Sequence, residues 1–155
     1  MRNKKKIQDD FDTFEVEIPL LLEDLSALIC QIKNTSLNIF DFSFENINLI
    51  EQFYLDILNK KIKSDISQDR LDRIFIAYLG ESFRAHLGGQ WTLELDKSSE
   101  AYGTPVISQW GDVPDKHINY CPIIIREWFK QEKGQGELQK TIEFALESDE
   151  NYKNL

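Results

Sequence analysis

The chain has 155 residues, 41% of them hydrophobic and 29% charged, with a net charge of −9. That composition fits one globular domain able to build its own core. It also excludes a membrane span, since no run approaches the roughly 18 apolar residues needed, and a disulfide framework, since Cys30 and Cys121 are the only cysteines.

The basic start Met1-Arg2-Asn3-Lys4-Lys5-Lys6 leads into Gln8-Asp9-Asp10, not into an apolar signal segment. The expected setting is the cytoplasm, with free thiols, although a single Cys30–Cys121 bridge stays open. Residues 1–17 read as an N-terminal arm docked by Phe11, Phe14 and Val16. Pro19 stands where a first helical residue belongs, and Leu21, Leu22, Leu25, Leu28, Ile29 and Ile32 then keep helical spacing through residue 33. Asn34-Thr35-Ser36 breaks that helix.

Ser43 is a suitable N-cap for a second helix over 44–62, with Phe44, Ile47, Ile50, Tyr54, Ile57, Leu58 and Ile62 inward. Ser67 caps a third, whose stripe runs Leu71, Ile74, Phe75, Tyr78, Leu79, Phe83 and Leu87. Gly80 interrupts it at a cost of about 1 kcal/mol against alanine, which a close helix crossing or a functional backbone approach would explain. Gly88-Gly89 stops the helix. Trp91, Leu93 and Leu95 then alternate with Gln90, Thr92 and Glu94, predicting a strand over 90–95 with the three apolar residues inward.

Residues 96–103 form a turn-rich link to a second strand over 105–110, paired antiparallel to the first. The piece around Ile118–Cys121 is open to adding a third strand. Pro122 opens a helix over 123–132 with Ile124, Ile125, Trp128 and Phe129 inward. Gly134 and Gly136 separate it from a weaker helix over 137–147, carrying Leu138, Ile142, Ala145 and Leu146, and the polar residues 148–155 read as a frayed tail. The expected fold is a single α+β domain over 1–155: N-terminal helices packed on a small antiparallel sheet, with one or two C-terminal helices.

Constellations for chemistry are sparse. His117 and Cys121 could share a face as a Cys-His dyad, but no local signature supports it. Two histidines and two scattered cysteines do not make a zinc site, and Gly80, Gly88 and Gly89 follow a helix instead of opening one onto a phosphate. Glu94 and Asp96 lie on the outward face of the predicted strand, where a hydrolytic pair, a calcium shelf and plain solvation are the alternatives. Asp112 and Asp115 suit turns around Pro114. Basic residues cluster only at Lys60, Lys61, Lys63, Arg70 and Arg73, interleaved with Asp65, Asp69 and Asp72. These readings lead to no enzyme, no cofactor and no metal.

Charge is the stronger signal. Residues 7–59 carry eleven carboxylates against one lysine, a field that repels nucleic acid and anionic membranes and attracts basic partners; plain solubility and a partner-facing surface are its two readings. Trp110, beside Gly111, is the aromatic best placed for exposure; packing at the core or rim is its default reading and interface anchoring the second.

Three stretches then combine: Tyr78-Leu79-Gly80-Glu81 with Leu87-Gly88-Gly89-Gln90-Trp91, Tyr102-Gly103-Thr104-Pro105-Val106-Ile107, and Pro122-Ile123-Ile124-Ile125-Arg126. Together they resemble the DUF3806-like bacterial domains found beside polymorphic-toxin and secretion loci, several of which look like immunity proteins. The resemblance spans about residues 71–128. It implies a non-catalytic protein that binds and neutralises a cognate toxin by occlusion, and the chain's acidity suits a toxin whose active site is basic. The expected contact residues are Asp41, Glu45, Glu94, Asp96, Trp110, Asp112 and Asp115. The alternative is a small regulatory or ligand-binding module with a pocket near Glu81, Arg84 and Trp110.

Overall fold

In the computed structural model, which describes residues 3–132 and 136–155, one helix, α1, runs from Lys4 to Lys33. The expected arm over 1–17 is therefore corrected: its described residues from Lys4 onward are helical, and Pro19 lies inside the helix. The reason is the apolar spacing. Ile7, Phe11, Phe14 and Ile18 continue the stripe of Leu21, Leu22, Leu25 and Ile29 in register, and all are buried. That burial outweighs the carbonyl of Glu15 that Pro19, lacking an N–H, leaves without its helical partner. Val16 points away from the core and is 79% exposed. Met1, Arg2 and the separator Gly134 lie outside the described residues.

Helix α2 (Phe44–Leu58) starts at Ser43, whose hydroxyl accepts from the Asn46 amide at 3.3 Å. It stops four residues short of the expected end, at Asn59. Helix α3 (Gln68–Leu87) is capped by Ser67 and ends at Gly88, whose φ of 71° and ψ of −149° suit glycine alone. Strand β1 (Gln90–Leu93) pairs antiparallel with β2 (Pro105–Ser108), placing Trp91 opposite Ile107. Both strands are two residues shorter than expected, and Leu95, beyond the last backbone pairing at Glu94, is exposed. Ile118–Cys121 adds a single bridge, Tyr120 to Ile107, and no strand.

Helix α4 (Pro122–Glu132) buries Phe129 but leaves Trp128 at the surface. Helix α5 (Glu137–Lys153) buries Leu138, Ile142, Ala145 and Asp149, with Leu146 exposed. The expected frayed tail is thus helical to Lys153, because Asp149 is drawn inward by a loop described below. The result is the α+β arrangement expected: helices before and after a two-stranded antiparallel sheet.

Helix α3 is the centre, touching α1, β2, α4 and α5. Aromatic contacts knit these layers: Tyr54 of α2 stacks on Phe75 of α3 at 3.6 Å and lies 5.7 Å from Phe129 of α4. Phe83 of α3 stacks on Tyr120 at 3.9 Å. Arg73 reaches Glu17 at 2.8 Å and Arg70 reaches Asp24 at 2.5 Å, tying α3 to α1. Exposed pairs of this kind are worth at most about 1 kcal/mol each, so apolar packing holds the two helices together.

Candidate functional site

The seven residues expected to meet a partner fall into separate groups. His86 at the end of α3 donates from Nε2 to the Phe42 carbonyl at 2.7 Å, and the neighbouring Leu87 carbonyl accepts from Gly111 N–H at 2.8 Å. Asp41, Glu45 and Asp112 therefore gather around the C-terminal end of α3, all three exposed. Strand β1 carries the chain away from that end by about 13 Å, at 3.3 Å per residue, before Glu94 and Asp96 are reached.

Glu94 does not face outward as expected. It is half-buried, accepting from Asn119 Nδ2 at 3.2 Å and from the Asp96 amide at 3.0 Å. Asp96 is exposed and closes its own turn: the Ser98 hydroxyl at 2.7 Å and amide at 2.9 Å donate to it and hold its carboxyl below the usual range. Trp110 takes the packed reading and not that of an exposed contact residue. It is 6% exposed, its Nε1 donates to the Ile118 carbonyl at 2.9 Å, and its ring meets Phe83 edge-on at 5.1 Å. Asp112 pairs with Lys153 at 2.5 Å, while Asp115 is exposed in the short 3-10 turn Pro114–Lys116.

A surface that residue patterns did not single out lies on α1. Val16 and Leu20, 79% and 57% exposed, sit one turn apart on its outer face. Asp9 and Asp12 precede them on the same stripe, Glu23 follows, and Asp10 and Glu15 flank it. None of these five carboxylates forms an ion pair among the described residues. The signal was present as two large apolar residues out of phase with the buried stripe, and reading 1–17 as an arm hid it.

The second feature is a cavity of about 490 Å³ bounded by α4, α5 and the 116–121 segment. Trp110 lines it, but Glu81 and Arg84 do not, so the pocket imagined near those three residues is displaced. Arg84 instead pairs with Glu81 at 2.7 Å and donates to the Gly89 carbonyl at 3.1 Å. His117 forms part of the wall. Its Nε2 donates to Asp149 Oδ1 at 2.8 Å, its ring stacks on Trp110 at 3.9 Å, and Tyr152 meets it edge-on at 5.1 Å.

Asp149 also accepts from the backbone amides of Asp112 at 3.0 Å and Val113 at 3.3 Å. Burial raises its carboxyl, but the His117 bond, these two amides and Lys153 together bring it below the usual range. Gly111 makes the approach feasible, since a β-carbon there would stand 2.5 Å from Asp149 Oδ1. No local pattern announces this cluster, because its members come from two segments over thirty residues apart.

No family model, curated protein or solved structure matches this chain. Its chemistry rests on its own residues. Cys121 donates to the Asn119 carbonyl at 3.5 Å and makes no bond to His117. Burial, and then the Glu94 carboxylate, push its thiol up, the opposite of an activated nucleophile. Among the described residues no cluster of His, Cys, Asp or Glu could hold a metal ion, and no helix is long and apolar enough to cross a membrane.

Proposed function

We propose that the protein is a binding module of the toxin-immunity type, which neutralises a basic partner by covering it without catalysis. One observation carries the reading: the outer face of α1 offers two exposed apolar residues, Val16 and Leu20, among five carboxylates that form no ion pair among the described residues. Apolar residues inside a one-sign rim suit a protein surface of opposite charge, which the field steers into contact. The resemblance to DUF3806-like domains supports the same reading. So does the placing of Arg70 and Arg73, which are spent on Glu17 and Asp24 and not offered to nucleic acid. Two unbridged cysteines, Cys30 and Cys121, support a cytoplasmic setting.

The test is capture followed by rescue. The tagged protein captures its partner from the native host, and the partner is then expressed alone, with the wild-type protein, and with a Val16→Lys/Leu20→Lys variant. Growth arrest by the partner alone, relief by the wild type and loss of relief by the variant are the expected results. Binding should also weaken with salt, since charges separated by more than about 8 Å are screened at physiological ionic strength. A partner that is harmless alone overturns the immunity reading, and a variant that rescues fully overturns the assignment to α1.

A further inference from the structure

The cavity beside His117 carries a second inference, independent of the α1 surface. Asp149 is ionised and therefore only accepts hydrogen bonds, and it already takes two backbone amides. The shared proton thus resides on Nε2 of His117, and in the neutral imidazole Nδ1 is left as a lone-pair acceptor. The ring cannot turn to hide it. Trp110 covers one face at 3.9 Å, with only 13° between the planes. The Cδ2–Nε2 edge is turned to Gly111 and Asp149.

The His117 side chain is 2% exposed, yet Nδ1 bonds to no described residue. Nδ1 is not among the described polar atoms sealed from solvent without a partner, so it reaches the accessible space beside it. Here the free nitrogen belongs to a residue lining an apolar space of about 490 Å³, within the roughly 300–1,000 Å³ range of small-molecule sites. The remaining wall is largely aromatic and aliphatic, including Tyr120, Ile124, Ile125 and Phe144. Lys116, Asn119, Thr141 and Ser148 also line the space, and one lysine is no cluster of cations for a phosphate; the oriented acceptor in this mostly apolar wall suits a ligand with an apolar body and a hydroxyl donor.

We propose that this cavity binds a small aromatic or alicyclic hydroxy compound, its body against Ile124, Ile125 and Phe144 and its hydroxyl donating to Nδ1 of His117. Asp149 and Trp110 are positioning residues: they fix the tautomer and the plane of the ring.

The probes are β-naphthol and its methyl ether, which share the ring system and differ in the donor. Binding to the full chain is measured by calorimetry in mildly alkaline buffer, since the acceptor requires the neutral imidazole. The wild type should prefer β-naphthol by about tenfold, the ratio one well-formed buried hydrogen bond supplies. His117→Phe keeps the stack on Trp110 and should bring the two affinities together. Ile124→Trp fills the cavity and should abolish binding of both, with near-ultraviolet circular dichroism confirming the fold of each variant. Equal affinities in the wild type, no binding of either probe, a preference that survives His117→Phe, or binding that survives Ile124→Trp would each overturn the proposal. The wild-type ratio requires no substitution, so it decides even where a variant fails to fold.

Discussion

The far edge of the Trp91 indole occupies the space in which a β-carbon on Gly80 would stand. A strand side chain, not a second helix, is therefore what the glycine in α3 accommodates. The indole has little freedom to retreat, being buried and held edge-on by Phe14 at 5.2 Å. Gly80→Ala should lower stability by about 2 kcal/mol, the overpacking cost exceeding the helix-propensity gain of about 1 kcal/mol. In a Trp91→Leu background the same substitution should become neutral or stabilising. Urea unfolding of the four proteins in this cycle measures the coupling, and additive effects would refute the contact.

Pro19 gives the opposite sign. If it opened a helix, alanine there would be neutral or worse. As an exposed residue inside α1 it removes a hydrogen bond and crowds the preceding turn, so Pro19→Ala should raise stability by about 1–3 kcal/mol. A higher unfolding midpoint with an unchanged denaturant slope is the expected observation.

Asp149 predicts an acid limb. Its folded carboxyl lies below the usual range, so the unfolded chain takes up the proton first. The stabilisation is present in full above about pH 4, the unfolded value, and is lost as the pH falls through the lower folded one. Asp149→Asn should flatten the decline in stability below that pH without erasing it, because Asp96 and Glu127 are also held low, by Ser98 and Arg126 respectively. Unfolding midpoints across pH 2–6, a window spanning the usual carboxyl range, would show this. A limb of unchanged steepness would contradict it.

Glu51 caps a helix other than its own. Buried in α2, it accepts from the amides of Gly136 at 2.6 Å and Leu138 at 3.1 Å, at the start of α5. Gly136 has no side chain to do this itself. Glu51→Ala should cost about 2–4 kcal/mol by leaving two amides unpaired, and Glu51→Gln about half as much, since one oxygen remains. Faster amide exchange at Leu138 would locate the effect.

Features written within a few residues were legible. Ser43 and Ser67 mark their helices, Gly88-Gly89 ends α3, and Trp91 starts a strand, because each depends on local backbone geometry. Pro19 taken alone favours a first turn, and the buried stripe beginning at Ile7 overrides it. Asp149 was missed for a different reason. A polar residue in a polar run looks solvated until the loop carrying His117 is folded against it, and nothing within a helical window reports a partner 32 residues away. Trp110 followed the same rule, since its indole partner is the Ile118 carbonyl across a turn.

Helix α5 is fastened at both ends by groups from different parts of the chain: Glu51 of α2 at its first turn, and the 112–117 loop, through Asp149 and Lys153, at its last. It behaves as a clasp with two locks. Acid weakens the fastening at Asp149, whereas the one at Glu51 depends on the packing of α2, so the two ends of α5 answer to different conditions. Since α5 forms one wall of the cavity, these two fastenings hold that wall in place from both ends.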